Sequence, residues 1–182
     1  MKSRRKIAFL ILAALLTLPM LFPATLIIPV EGAIYRDWNK DSFWHYPWGK
    51  SGTHKGIDIF APEGQNVLSS ATGIVIYSGE IGMGGNVVAV LGAKWRVYYY
   101  AHLQSYQVNA GEWGNKSSVI GQVGATGNAA GKPPHLHFSI TSLLPLPWRW
   151  DNDPQGWKKM FYLNPNELLW KSIGKNGNDL NR

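Results

Sequence analysis

Apolar and polar positions divide the chain into stretches of different periodicity. From Ile7 to Val30 no residue is charged, and the core of that run is Ile7-Ala-Phe-Leu-Ile-Leu-Ala-Ala-Leu-Leu-Thr-Leu18. A helix over such a run could span the roughly 30 Å hydrocarbon core of a bilayer. Pro19, Pro23 and Pro29 would kink or end it, which brings the firmly helical part closer to the apolar core of a signal peptide. Beyond Gly49 glycines recur every few residues between short β-branched and aromatic runs. These are Gly73–Tyr77, Asn86–Leu91, Arg96–His102, Val119–Val123 and Leu136–Ile140. None shows a 3.6-residue apolar period. The pattern predicts an all-β domain, a small antiparallel sheet or sandwich, preceded by an N-terminal hydrophobic helix. Leu143 to Met160 is rich in Pro and Trp and interrupts the strand pattern. Tyr162-Leu-Asn-Pro165 then turns into a short terminal helix near Asn166–Trp170.

These boundaries predict a signal anchor or signal peptide over 1–33 and an aromatic lead-in over 34–50. A domain over 51–170 follows, with a Trp/Pro-rich insert at 142–161, and then a disordered tail over 171–182. At 182 residues the chain is long enough for one core and short for two.

Charge adds direction. Lys and Arg number 18 against 11 Asp and Glu, and Lys2, Arg4, Arg5 and Lys6 account for four of the cations. The remaining excess is mild and scattered. It suits a cell wall or lipid headgroups and does not argue for nucleic acid. The cationic head predicts a cytoplasmic N-terminus with the rest of the chain outside. Cleavage near Val30-Glu31-Gly32 or Glu31-Gly32-Ala33 would be mediocre, so an uncleaved inner-membrane anchor is favoured over a secreted or periplasmic product. There is no cysteine, hence no disulfide and no lipoprotein acylation site. Stability must come from the core or a metal.

The candidate chemistry lies in the histidines. His135 and His137 stand two apart in Pro-His-Leu-His-Phe, which on a strand puts both on one face about 7 Å apart. That spacing serves a metal site or a hydrogen-bonded pair on a half-exposed strand. His102 ends the aromatic run Tyr98-Tyr-Tyr-Ala-His102. His54 and Asp58 would be about 13 Å apart if extended. They can share an ion only if the chain bends between them, and Gly56 permits a bend. Two His and one carboxylate around Zn²⁺, with an open position, make a hydrolytic centre, and further histidines can serve as acid and base.

Three ordered elements carry a resemblance: His54-Lys-Gly-Ile-Asp58, Tyr100-Ala-His102-Leu103 and His135-Leu-His137-Phe138. Gly121-Gln-Val-Gly-Ala-Thr-Gly127 and Tyr162-Leu-Asn-Pro165 agree with it. Over about Ser42 to Leu169 the chain resembles the zinc endopeptidases of the lysostaphin and LytM type, which cut peptide bonds in bacterial peptidoglycan. The resemblance implies an open groove over one zinc ion, held by His54, Asp58 and His137, with His102 and His135 as the catalytic histidines. It implies peptidoglycan peptides as substrate, cross-links or stem peptides alike. The alternative is a catalytically inactive wall-binding activator of another hydrolase, working with a protein partner. The insert at 142–161 departs from the family pattern. His45, outside the motifs, reads as structural, and Tyr46 as a hydrogen-bond donor to a reaction intermediate.

Overall fold

A computed structural model describes residues 2–173. Residues 174–182 of the expected disordered tail lie outside them. Among the described residues, nine strands form one antiparallel sheet: β1 (Ile57–Phe60), β2 (Asn66–Leu68), β3 (Gly73–Ile81), β4 (Gly85–Gly92), β5 (Arg96–Tyr106), β6 (Trp113–Gly114), β7 (Val119–Val123), β8 (His135–Ser142) and β9 (Tyr162–Leu163). The main path runs β1-β8-β5-β4-β3-β6, with β2 on β7, β7 on β5 and β9 on β8. Every pairing is antiparallel, as the short runs and glycine turns predict.

The period of two decides which face becomes core. Ile57 and Ile59 of β1, Tyr98 and Tyr100 of β5, and Leu136, Phe138 and Ile140 of β8 are fully buried together. Each such aliphatic side chain contributes about 1.5–3 kcal/mol. The long central strand β5 changes neighbour along its length. Arg96 to Ala101 pair with β8, and Leu103 to Tyr106 pair with β7. His102 sits at the switch. Helix α2 (Pro165–Ile173) closes the core with Leu169 and continues through 171–173, the first three residues of the expected tail.

The N-terminal expectation needs correction. Helix α1 spans Lys2–Leu21, but among the described residues no helix is long and apolar enough to cross a membrane. Its uncharged part, Ile7 to Leu21, is roughly 22 Å long at 1.5 Å per residue, short of the roughly 30 Å core. The apolar run beyond it belongs to the domain. Leu26 and Val30 are buried in the core. The Ile27 N–H donates to the Ser70 carbonyl (3.1 Å), Leu68 N–H to Pro29 (2.9 Å) and Glu31 N–H to Asn66 (3.0 Å). Apolarity alone does not distinguish lipid from protein interior.

Candidate metal centre

The register of three strands builds the site. Asp58 of β1 stands opposite His137 of β8, and Phe60 opposite His135. Their neighbours Ile57, Ile59, Leu136 and Phe138 face the core, so alternation turns Asp58, Phe60, His135 and His137 to the other face. On the far side of β8, Ala101 pairs with His137, which brings His102 next to the same spot. His102 has φ +63°, a left-handed conformation unusual outside glycine, where β5 leaves β8 for β7.

His54 lies in the loop before β1. The expected bend at Gly56 is present, but the reason for glycine differs from the sequence expectation. Gly56 lies outside the left-handed region. A Cβ there would stand 2.5 Å from the Phe138 carbonyl oxygen and 2.9 Å from Cε1 and Nε2 of His137. Glycine is required by the close approach of the loop to the His137 ring.

Among the described residues, His54, Asp58 and His137 form one group able to hold a metal ion. His54 Nε2 lies 3.1 Å from Asp58 Oδ1 and 3.2 Å from His137 Nδ1, and His137 Nδ1 lies 2.8 Å from Asp58 Oδ1. Tetrahedral ligands at about 2.0–2.1 Å from zinc stand roughly 3.3 Å apart, so the triangle fits such an ion with little movement. The donor chemistry agrees. His54 Nδ1 donates its proton to the Ser42 carbonyl (3.0 Å), which leaves Nε2 as a bare lone pair facing the other two ligand atoms. Burial alone would raise the Asp58 carboxyl. In the metal-free protein, when His137 and His54 carry a second proton, their hydrogen bonds and charge outweigh burial and hold it well below the usual carboxylate range.

Two further histidines flank the triangle. The His102 ring centroid is 5.1 Å from that of His135 and 5.9 Å from that of His137. Both flanking rings are tied through Nδ1 to backbone carbonyls, His102 to Thr126 (2.9 Å) and His135 to Pro133 (2.8 Å). A carbonyl only accepts, so each Nδ1 carries the proton and each Nε2 is free to take one. Burial, then repulsion from His137 and His135, pushes the His102 imidazole down to about 4, against partial opposition from the Thr126 carbonyl and Asp58.

All five histidine and aspartate positions singled out in the sequence thus meet in one place. His45 stays outside the triangle, exposed, with its ring 5.9 Å from Trp48, and its carbonyl accepts the His54 N–H (3.0 Å). Tyr46 is exposed beside it, on the strap of residues 42–52 that precedes His54. Contacts with no sequence signature complete the site. Trp48 stacks on His54, with centroids 4.3 Å apart and planes 26° apart, and Phe60 lies 5.4 Å from His135. The insert after β8 folds as two short 3₁₀ turns, Pro147–Arg149 and Gly156–Met160, and returns to pair through β9. Trp148, Trp150 and Trp157 are exposed on it.

A family-level sequence comparison matches residues 52–146 to Peptidase family M23. Among curated proteins, the DD-carboxypeptidase/endopeptidase Mpg of Neisseria meningitidis serogroup B is 40% identical over 85 residues, which cover 47% of this chain and 19% of that protein. The chain thus matches about a fifth of the length of that relative. The solved catalytic domain of the antimicrobial peptidase lysostaphin from Staphylococcus simulans superposes with a TM-score of 0.52 at 30% identity, covering 55% of this chain and 76% of that one. A zinc-containing peptidase from Vibrio cholerae superposes with a TM-score of 0.53 at 29% identity, over 65% and 36% of the two chains.

Proposed function

The chain belongs to peptidase family M23, and from that premise we propose that it is a zinc-dependent endopeptidase hydrolysing peptide bonds in peptidoglycan cross-links or stem peptides. The observation that carries this reading is the His54–Asp58–His137 triangle flanked by two histidines whose Nε2 atoms are free. The names of the relatives, which are peptidases, support it.

His54, Asp58 and His137 would hold one Zn²⁺. Bound there, the ion supplies Lewis acidity toward a scissile carbonyl and brings the pKa of a water close to neutrality. The remaining chemistry is the chain's own. His102 and His135 are the acid and base. Their Nδ1 protons are committed to Thr126 and Pro133, so proton transfer runs through Nε2. At neutral pH His102 is uncharged and ready to accept. The histidine that takes the proton of the attacking water returns it, itself or through its neighbour 5.1 Å away, to the departing amine. Whichever histidine is protonated also steadies negative charge developing on the carbonyl oxygen. Exposed Trp48 and Phe60 border the site beside His54 and His135 and offer walls for a peptide.

A peptidoglycan substrate places the reaction in the bacterial envelope, outside the cytoplasmic membrane. The cationic, apolar α1 suits delivery to that membrane. Mass spectrometry of purified peptidoglycan after digestion by the zinc-loaded chain tests the proposal. New peptide amino termini with intact glycan strands are expected, abolished by a chelator and restored by zinc. Binding to wall without any released peptide would overturn the proposal in favour of the inactive activator.

A further inference from the structure

We infer that the insert between β8 and β9 braces the metal ligand His54, with Trp44 and Gln155 as positioning residues. The inference rests on the proposed metal site. It begins from an asymmetry among the ligands. Asp58 and His137 lie on paired strands, so sheet hydrogen bonds fix them. His54 lies in a loop and is held by the strap that precedes it. Its ring N–H goes to the Ser42 carbonyl, its backbone N–H to His45 (3.0 Å), its carbonyl accepts the Trp44 N–H (2.6 Å), and its ring face lies on Trp48. The metal ligand can be no firmer than this strap, and among the described residues the strap holds no strand longer than the single bridge Trp48–Gly52.

The insert is what fastens it. The Trp44 indole N–H donates to the Pro154 carbonyl (3.1 Å), and the Lys159 ammonium stands 5.5 Å from the Trp44 ring centroid. The Gln155 side-chain amide donates to the Ser51 carbonyl (3.1 Å), three residues before His54. The Gln155 amide lies close over Gly52, where a Cβ would stand 2.1 Å from its nitrogen. Trp44 (φ +65°) and Gln155 (φ +58°) both adopt left-handed backbone conformations, which persist in such residues only where the surroundings hold them. Both ends of the insert are rooted on β8, the strand of His137, directly at Ser142 and through the pairing of Leu163 with Ile140. The insert therefore ties the strand carrying one ligand to the strap carrying another.

The test uses the full chain and zinc affinity, read by competition with a chromophoric chelator, beside the thermal midpoint of the metal-free protein. Gln155→Ala and Trp44→Phe each remove one donor, and Trp157→Ala is the control, an exposed side chain of the same insert. Outer-shell partners of metal ligands are typically worth 10–100-fold in affinity or activity. Each of the two variants is expected to weaken zinc binding about tenfold with the metal-free midpoint nearly unchanged, and the control to match the parent. Affinities within twofold of the parent in both variants would overturn the inference, as would a lowered metal-free midpoint with unchanged affinity, which marks a purely structural flap. If Trp44→Phe does not fold, Gln155→Ala alone decides. A parent chain that binds no zinc would refute the functional reading itself, a result distinct from equal binding by parent and variants.

Discussion

Adding one methyl group at Gly56 should loosen the metal site without touching a ligand. The new Cβ would stand 2.5 Å from the Phe138 carbonyl oxygen and 2.9 Å from two atoms of the His137 ring. Ordinary contacts there need about 0.5–1 Å more. The carbonyl cannot retreat, because Phe138 is paired to Ile57 on one side and Tyr100 on the other. Either the His137 ring turns or the loop carrying His54 lifts, and both spread a ligand triangle whose sides are 2.8–3.2 Å. Overpacking of this kind costs about 1–3 kcal/mol. Because each 1.4 kcal/mol is a factor of ten, Gly56→Ala should bind zinc about ten- to hundredfold more weakly. Gly114→Ala is the matched control, since its Cβ would meet nothing closer than 3.7 Å. Isothermal titration of both metal-free proteins with zinc measures the difference. Equal affinity of Gly56→Ala and the parent would refute the steric reasoning.

Three more predictions follow from the same geometry. His102→Ala and His135→Ala should each lose at least about a hundredfold in turnover while retaining one zinc per chain by elemental analysis, and the double variant should lose less than the product. Zinc loss in His135→Ala would make His135 a ligand and Asp58 the doubtful member. For the metal-free chain, the folded His102 value near 4 lies below its ordinary 6.5, so its contribution is present above pH 6.5 and lost as pH falls toward 4. Denaturant titration should show up to about 3 kcal/mol of stability disappearing across that window, and much less in His102→Gln; identical slopes would contradict the depressed value. A chain beginning at Ile34 should be less stable than one beginning at Thr25 by about 3–6 kcal/mol, since it lacks the buried Leu26 and Val30; equal chemical stability would mean that the segment merely rests on the domain.

The strands readable in the sequence are those with long β-branched or aromatic runs, and β3, β4, β5, β7 and β8 lie where the pattern puts them. Strands β1 and β2 are only four and three residues long, and β6 and β9 only two. Their pairing is set by neighbours distant in sequence, which no local period records. The histidine spacings pointed to a candidate metal site because a strand period of two and a bend at glycine are local facts, while the division into ligands and acid–base histidines came from the family resemblance. The groups that orient those rings are the carbonyls of Ser42, Thr126 and Pro133. Every residue carries a carbonyl, so nothing in the sequence marks these three. The stretch from Leu26 to Val30 misled for a different reason, since a run that fills a core and a run that meets lipid have the same composition.

One zinc ion is expected among His54, Asp58 and His137, with His102 and His135 left free to move protons. A zinc-edge anomalous difference map from a crystal of the zinc-loaded chain tests it most directly. The expected result is one strong peak per chain within about 2.0–2.2 Å of His54 Nε2, Asp58 Oδ1 and His137 Nδ1. A peak coordinated by His102 or His135 in place of any of those three would contradict it.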